Sequence, residues 1–218
     1  MKWKTHRILV VVTTVLSVCV FAAGLFYQSV RMRGALGIPL ADLPTLGSPR
    51  APIEIVIFED FRCYGCRTFN EEIFPQVESR YITSGRARYT FVPVAFMSGS
   101  KPLGNAAIAV HKQAPDRFFP YIRELFRYAE MRQGRESDPA VFVKIAKKVG
   151  GIDLKELEKS IKTERYYNEL ERNYQWAKRI MGRKFGTPAL FVNGALTSTA
   201  SFRAVELKID RALEGSEP

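Results

Sequence analysis

Hydrophobic and polar positions along the chain change period several times, and each change marks an element. "APIEIVIFEDF", residues 51–61, is rich in Ile, Val and Phe with partial alternation, which predicts a strand buried on at least one face. Phe69, Ile73, Val77 and Tyr81 then recur every fourth residue, predicting a helix from about Cys63 to Ile82. Pro75 inside that run removes a backbone donor and clashes with the preceding turn, so a kink is expected there. "GRARYTFVPVAF", residues 85–96, reads as a second strand, parallel to the first through a right-handed crossover.

From about Lys101 to Lys184 the stripe becomes helical throughout. Five segments carry it, separated by turn signals at Pro115, Gly134, Asp138-Pro139 and Gly150-Gly151. Strand character returns in "TPALFVNGALTSTA", where Asn193-Gly194 supplies the two positive-φ positions of a tight hairpin. Ser201 is placed to cap a last helix, "FRAVELKIDRAL". The order strand, helix, strand, inserted helices, hairpin, helix describes an α/β domain interrupted by a helical insertion.

The N-terminus departs from this pattern. Lys2, Lys4 and Arg7 precede an uncharged stretch from Ile8 to Tyr27, and no acid occurs before Asp42. That stretch matches the ~20 residues that span a bilayer and exceeds the usual ~7–15-residue signal core. It is expected to direct export. An uncleaved anchor fits its length, while Ala22-Ala23-Gly24 offers a cleavage site for a signal peptide. The basic end stays in the cytoplasm and the rest lies outside, where disulfides are permitted. Cys19, within the run, is expected to be a buried hydrophobe. Residues 28–48 hold several Gly and Pro and read as a linker. The expected division is 1–27 signal or anchor, 28–48 linker, 49–100 with 185–218 the α/β domain, and 101–184 the insertion.

Composition narrows the function. At 218 residues, 46% hydrophobic and 12% aromatic, the chain can bury a core without disulfide support. Of its net charge of +11, three charges belong to Lys2, Lys4 and Arg7; the remaining basic residues are scattered through helices among acids, which describes a solvated surface and not a nucleic-acid footprint. There are three cysteines and two histidines, His6 and His111. A structural zinc site wants four ligands at short spacing, and Cys63 with Cys66 supplies half of them. A disulfide closing so short a loop would remove little entropy from the unfolded chain. Redox exchange is the chemistry that remains for "EDFRCYGCRTFNEE", residues 59–72.

Placement gives the pair its reactivity. A helix start presents free N–H groups and partial positive charge to a thiolate, so Cys63 is the expected nucleophile, with a pKa below the free value of about 8.5. Arg62 and Arg67 are expected to add positive potential. Cys66, one turn further on and more shielded, is the expected resolving thiol. No bound cofactor is required for the exchange. His111 reads as a packing or surface residue, and Phe118, Phe119, Tyr121, Phe126 and Tyr128 as core in preference to a peptide groove. Arg183 and Lys184 either add to the field around Cys63 or form a solvated helix end.

"LGSPRAPIEIVIFEDFRCYGCRTFNEEIFPQV" and "FGTPALFVNGALTSTASFRAVELKIDRAL", with the helices between them, resemble the DsbA-type thiol:disulfide oxidoreductases of the thioredoxin superfamily over residues 46–214. The resemblance implies a thioredoxin-like fold, with Pro188 as a cis-proline facing the cysteines and Thr187 offering its backbone to an extended substrate. It also implies cysteine-containing exported proteins as substrates and a membrane redox partner that resets the pair. Ile57 stands where relatives often place a buried acid; Glu59 and Asp60 either substitute for it or are solvated carboxylates at a strand end. Tyr64 and Gly65 replace the Pro-His common between the cysteines of strong oxidases, so the potential is not inherited. Thr187 resembles the reductase and isomerase branches, yet the region before residue 50 is too short for a dimerisation domain, which favours a monomer. A non-catalytic module holding a polypeptide or Cu(I) is the alternative outside enzymology.

Overall fold

A computed structural model of the protein describes residues 13–21, 34–131 and 138–215. The expected signal or anchor segment falls largely outside the described residues; of it, 13–21 are helical and exposed, Cys19 among them. No helix among the described residues is long and apolar enough to cross a membrane.

The unit from Leu43 onward is built on a five-stranded sheet with the order β1-β3-β2-β4-β5. These strands are β1, Thr45–Leu46; β2, Ile53–Glu59; β3, Ala87–Pro93; β4, Ala189–Val192; and β5, Ala195–Thr197. β2 and β3 run parallel, from Ile53↔Ala87 to Glu59↔Pro93, as the crossover predicts. β4 is antiparallel to β2, with Ile57 opposite Leu190. β2 is therefore central, and all seven of its residues are buried. A strand covered on both faces reads as a nearly continuous apolar run, which explains why its alternation is only partial.

The helices, numbered in order, are α1, spanning residues 64–82; α2, Lys101–Gln113; α3, Phe118–Met131; α4, Pro139–Val149; α5, Leu154–Lys162; α6, Tyr167–Met181; and α7, Phe202–Glu214. α1 is not uniform. It opens as Tyr64–Thr68, widens to a π-turn at Phe69–Ile73, continues through Phe74–Val77 and widens again at Glu78–Ile82. Pro75 sits in the first turn after the π-turn, where its missing N–H costs least, so the expected kink takes the form of widened turns.

Local turn chemistry acts where the pattern places it. Asn193 and Gly194 have φ of 46° and 79°, and the β4–β5 hairpin closes through them. Ser201 Oγ accepts from Ala204 N to cap α7. β1 lies inside the stretch read as linker: Thr45 and Leu46 pair antiparallel with Thr90 and Tyr89. Two residues are too few to show a period.

The insertion packs through aromatic side chains. Phe126 meets Phe61 at 4.8 Å between ring centroids, and Phe118 meets Phe91 at 5.5 Å. Phe118, Tyr121 and Phe126 are fully buried, so this stripe is core; full burial of one such ring contributes about 1.5–3 kcal/mol. Within the insertion Asn105 acts as a buried bridge, donating to Ser160 O and accepting from Tyr166 N.

Candidate active site

β2 delivers the chain to the site already buried. Glu59 ends the strand and Asp60 follows, each 0% exposed. The solvated reading of these two carboxylates therefore does not hold. Asp60 is a backbone organiser: Oδ1 accepts from Arg62 N at 2.8 Å, and Oδ2 from Phe96 N and Met97 N at 2.9 and 3.1 Å. Burial raises its pKa and these N–H donors oppose the rise. They hold the turn before α1 against the loop after β3.

Cys63 is the N-cap of α1, with extended φ/ψ of −77° and 121° and no side-chain capping bond. The amides of Gly65 and Cys66 are thus left to face the Cys63 sulfur. Both cysteines are free thiols, Cys63 partly exposed and Cys66 buried. The pKa of Cys63 is lowered from 9.0 to about 6, first by hydrogen bonding from the Cys66 thiol; burial opposes this, and Thr187 and the Cys66 and Gly65 amides add to it. Cys66 moves the opposite way. Burial pushes it well above its ordinary value, reinforced by Cys63 and by the charge of Glu59. Neighbouring thiols one helical turn apart are thereby given opposite protonation preferences.

Thr187-Pro188 is a cis peptide, and Cys63 Sγ–H donates to Thr187 O at 3.2 Å. The hydroxyl of Thr187 is buried with no hydrogen-bond partner of its own, so it is available to the sulfur once that carries charge. A groove of about 410 Å³ beside the pair is lined by Tyr64, Gly65, Phe69, Pro188 and Phe202 among others. Tyr64 is 68% exposed at its rim.

Arg67 pairs with Glu71 at 3.3 Å and lies 4.9 Å over the Tyr64 ring. The Arg62 guanidinium packs against Gly99, where a β-carbon would lie 3.2 Å from Nη2. Arg183 and Lys184 are exposed on a short turn, and His111 packs edge-on against Phe118 at 5.6 Å. Among the described residues no cluster of three or more His, Cys, Asp or Glu could hold a metal. One residue the pattern did not flag also reaches the site: Asn70 Nδ2 donates to Oε2 of Glu59 and, at 2.9 Å, to Cys66 O. Its only signal in the sequence is its position four residues after Cys66, on the same helical face.

A dithiol of this asymmetry, at a helix start and opposite a cis-proline loop, defines a thioredoxin-fold redox protein. The chain belongs to the thioredoxin family, whose profile matches residues 41–211, and is a DsbA-type thiol–disulfide oxidoreductase. Disulfide bond formation protein D of Bacillus subtilis (strain 168) is 26% identical over 174 residues, covering 79% of this chain and 78% of that one. The crystal structure of Chlamydia trachomatis DsbA is similar at a TM-score of 0.73 and 30% identity, over 79% of this chain and 92% of that one. Oxidised BdbD from Bacillus subtilis is similar at a TM-score of 0.72 and 26% identity, over 81% and 95%.

Proposed function

We propose that the protein forms disulfides in cysteine-containing exported polypeptides, with Cys63 as the exchanging sulfur and Cys66 as its buried partner. The carrying observation is the opposed behaviour of the two thiols, one lowered to about 6 and the other raised. A thiolate favoured in the reduced protein stabilises dithiol over disulfide, so the disulfide tends to be passed on. At pH 7 this amounts to at most about 1.4 kcal/mol, or ~30 mV, and less after solvent screening of a partly exposed sulfur. The name of the Bacillus subtilis relative, disulfide bond formation protein D, points the same way.

In the oxidised protein a client thiolate attacks Cys63 Sγ. The Cys63–Cys66 bond breaks and its electron pair leaves on Cys66 Sγ, which takes a proton from Glu59. A second client thiolate attacks the client sulfur of the mixed disulfide, forming the client's disulfide and releasing the Cys63 thiolate. Run in reverse, Cys66 resolves the mixed disulfide. Thr187 and Pro188 hold the client backbone; Arg62, Asp60, Tyr64 and Gly65 tune the pair by placing the turn. Thr187 before the proline supports the second reading, a reductase or isomerase.

The reading includes a domain outside the cytoplasm, held by residues 8–27 or released after their removal, a linker from residue 28 that ends before β1, and a monomeric catalytic unit. A membrane redox partner re-oxidises the pair. The charge asymmetry of the N-terminus supports export. Equilibration of the pair with glutathione tests direction: a potential well above that of thioredoxin is expected, and a value near or below about −270 mV would overturn the oxidase.

A further inference from the structure

Both hydrogens of the Asn70 amide are committed, one to Cys66 O and one to Glu59 Oε2. The other carboxyl oxygen, Oε1, is buried without a hydrogen-bond partner. Asn70 is thus the polar contact through which a buried acid meets the redox helix. The turn that aims it is the π-turn Phe69–Ile73, closed by Phe74 N–H to Phe69 O. Its extra residue lets both Phe69 and Asn70 face inward, and both are buried.

Asn70 also stands in the wall of a cleft of about 380 Å³ that includes Glu71, Glu78, Arg123 and Arg127, between α1 and α3. None of the residues lining this cleft lines the groove beside Pro188.

We infer that Asn70 is a positioning residue for exchange: by donating to Glu59 Oε2 and to Cys66 O it holds the ionised Glu59 carboxyl group in place against the redox helix. The inference rests on the proton role of Glu59 proposed above. Glu59 is faced by the thiols of Cys63 and Cys66 at the start of α1 and by the buried phenol of Tyr89 on β3. Arg123 and Arg127 across the cleft are paired with Glu78 and Glu124. Burial and the Cys63 charge favour neutral Glu59, and the Asn70 hydrogen bond opposes them. Without the amide, a Glu59 that has given its proton to Cys66 has no donor to hold its charge.

The test is the full protein as wild type, Asn70→Ser, Asn70→Leu, Glu59→Gln and Asn70→Ser/Glu59→Gln. Two readings are taken from pH 5 to 9: the Glu59 carboxyl titration by NMR in the reduced protein, and the rate at which the oxidised protein exchanges with a cysteine peptide. Loss of one hydrogen bond to a charge should raise the Glu59 midpoint by about one pH unit, a tenfold change, and move the break in the rate profile with it. The double variant should match Glu59→Gln alone. A purely structural Asn70 would lower the melting temperature and leave the midpoint in place, and that result in either Asn70 variant with native near-UV circular dichroism overturns the inference. Asn70→Ser keeps the test available if the leucine does not fold. If Glu59→Gln retains the wild-type break, the proton role of Glu59 fails and the catalytic part of this inference falls with it; the NMR midpoint separately decides whether Asn70 holds the charge.

Discussion

Gly65 and Pro188 touch: a β-carbon on Gly65 would lie 3.0 Å from Cδ of Pro188 and 3.9 Å from Cys63 Sγ. Of the two residues between the cysteines, the second is therefore small because the proline loop presses against it. Gly65→Ala should push that loop by a few tenths of an ångström and loosen Thr187 from Cys63. Thr187 helps to lower the Cys63 pKa, so the midpoint of thiolate absorbance near 240 nm should rise above about 6. A midpoint at or below the wild-type value would show that the loop yields without consequence.

The acidity of Cys63 is expected to depend more on its partner thiol than on nearby arginines. The leading cause of its low pKa is hydrogen bonding from Cys66. Cys66→Ala removes that donor, and the pH midpoint of Cys63 alkylation should climb by about 1–2 units. Arg67→Ala should move it far less, because Arg67 is held by Glu71 and Tyr64. The reverse ranking would return the pair's chemistry to the basic residues. Cys66→Ser should also accumulate mixed disulfides with clients, while Cys63→Ser should exchange none.

How far the site was legible from the chain follows from how local each determinant is. Cys63 at a helix start, Asn193-Gly194 in a hairpin and Ser201 at a cap are set by neighbours in sequence, and the fold uses each as the pattern implies. Glu59 was ambiguous because its burial comes from β3 and β4 flanking β2 and from packing on both faces, none of it local. Asn70 was invisible for a related reason. A polar residue on a helix gains meaning only when the strand end beneath it carries an acid, and a π-turn is needed to aim it. Arg67 likewise shows a partner that spacing alone does not rank: it pairs with Glu71 and lies over the Tyr64 ring.

In the insertion, Gly104 of α2 faces Leu170 of α6, where an added β-carbon would fall 2.7 Å from Cδ2 and 3.0 Å from Cδ1. Leu170 is 1% exposed and has little room to move. Gly104→Ala gains about 1 kcal/mol of helix propensity and loses about 1–3 kcal/mol to overpacking, so a net loss is expected by denaturant titration. In a Leu170→Ala background the same change should become stabilising by about 1 kcal/mol, and a cycle without that sign reversal would mean the helices separate freely.

Glu59 gives a stability test whose sign depends on pH. Its folded pKa is raised well above 4.5, chiefly by burial, so the folded protein binds its proton more tightly than the unfolded chain does. Such a group supports the fold fully below its unfolded value, and that support is lost as pH rises through the folded one. Glu59→Gln keeps an acceptor for Asn70 and removes the charge. Below about pH 4 the oxidised wild type and variant should have similar stability; toward pH 8 the variant should become the more stable by about 1.4 kcal/mol for each unit separating the two pKa values. The same variant should slow exchange of the oxidised protein with a cysteine peptide, since the proton donor to Cys66 is gone. A Glu59→Gln protein that is less stable at pH 8 than the wild type would mean that the carboxylate is compensated in the fold, and that burial at the end of β2 does not set its proton affinity.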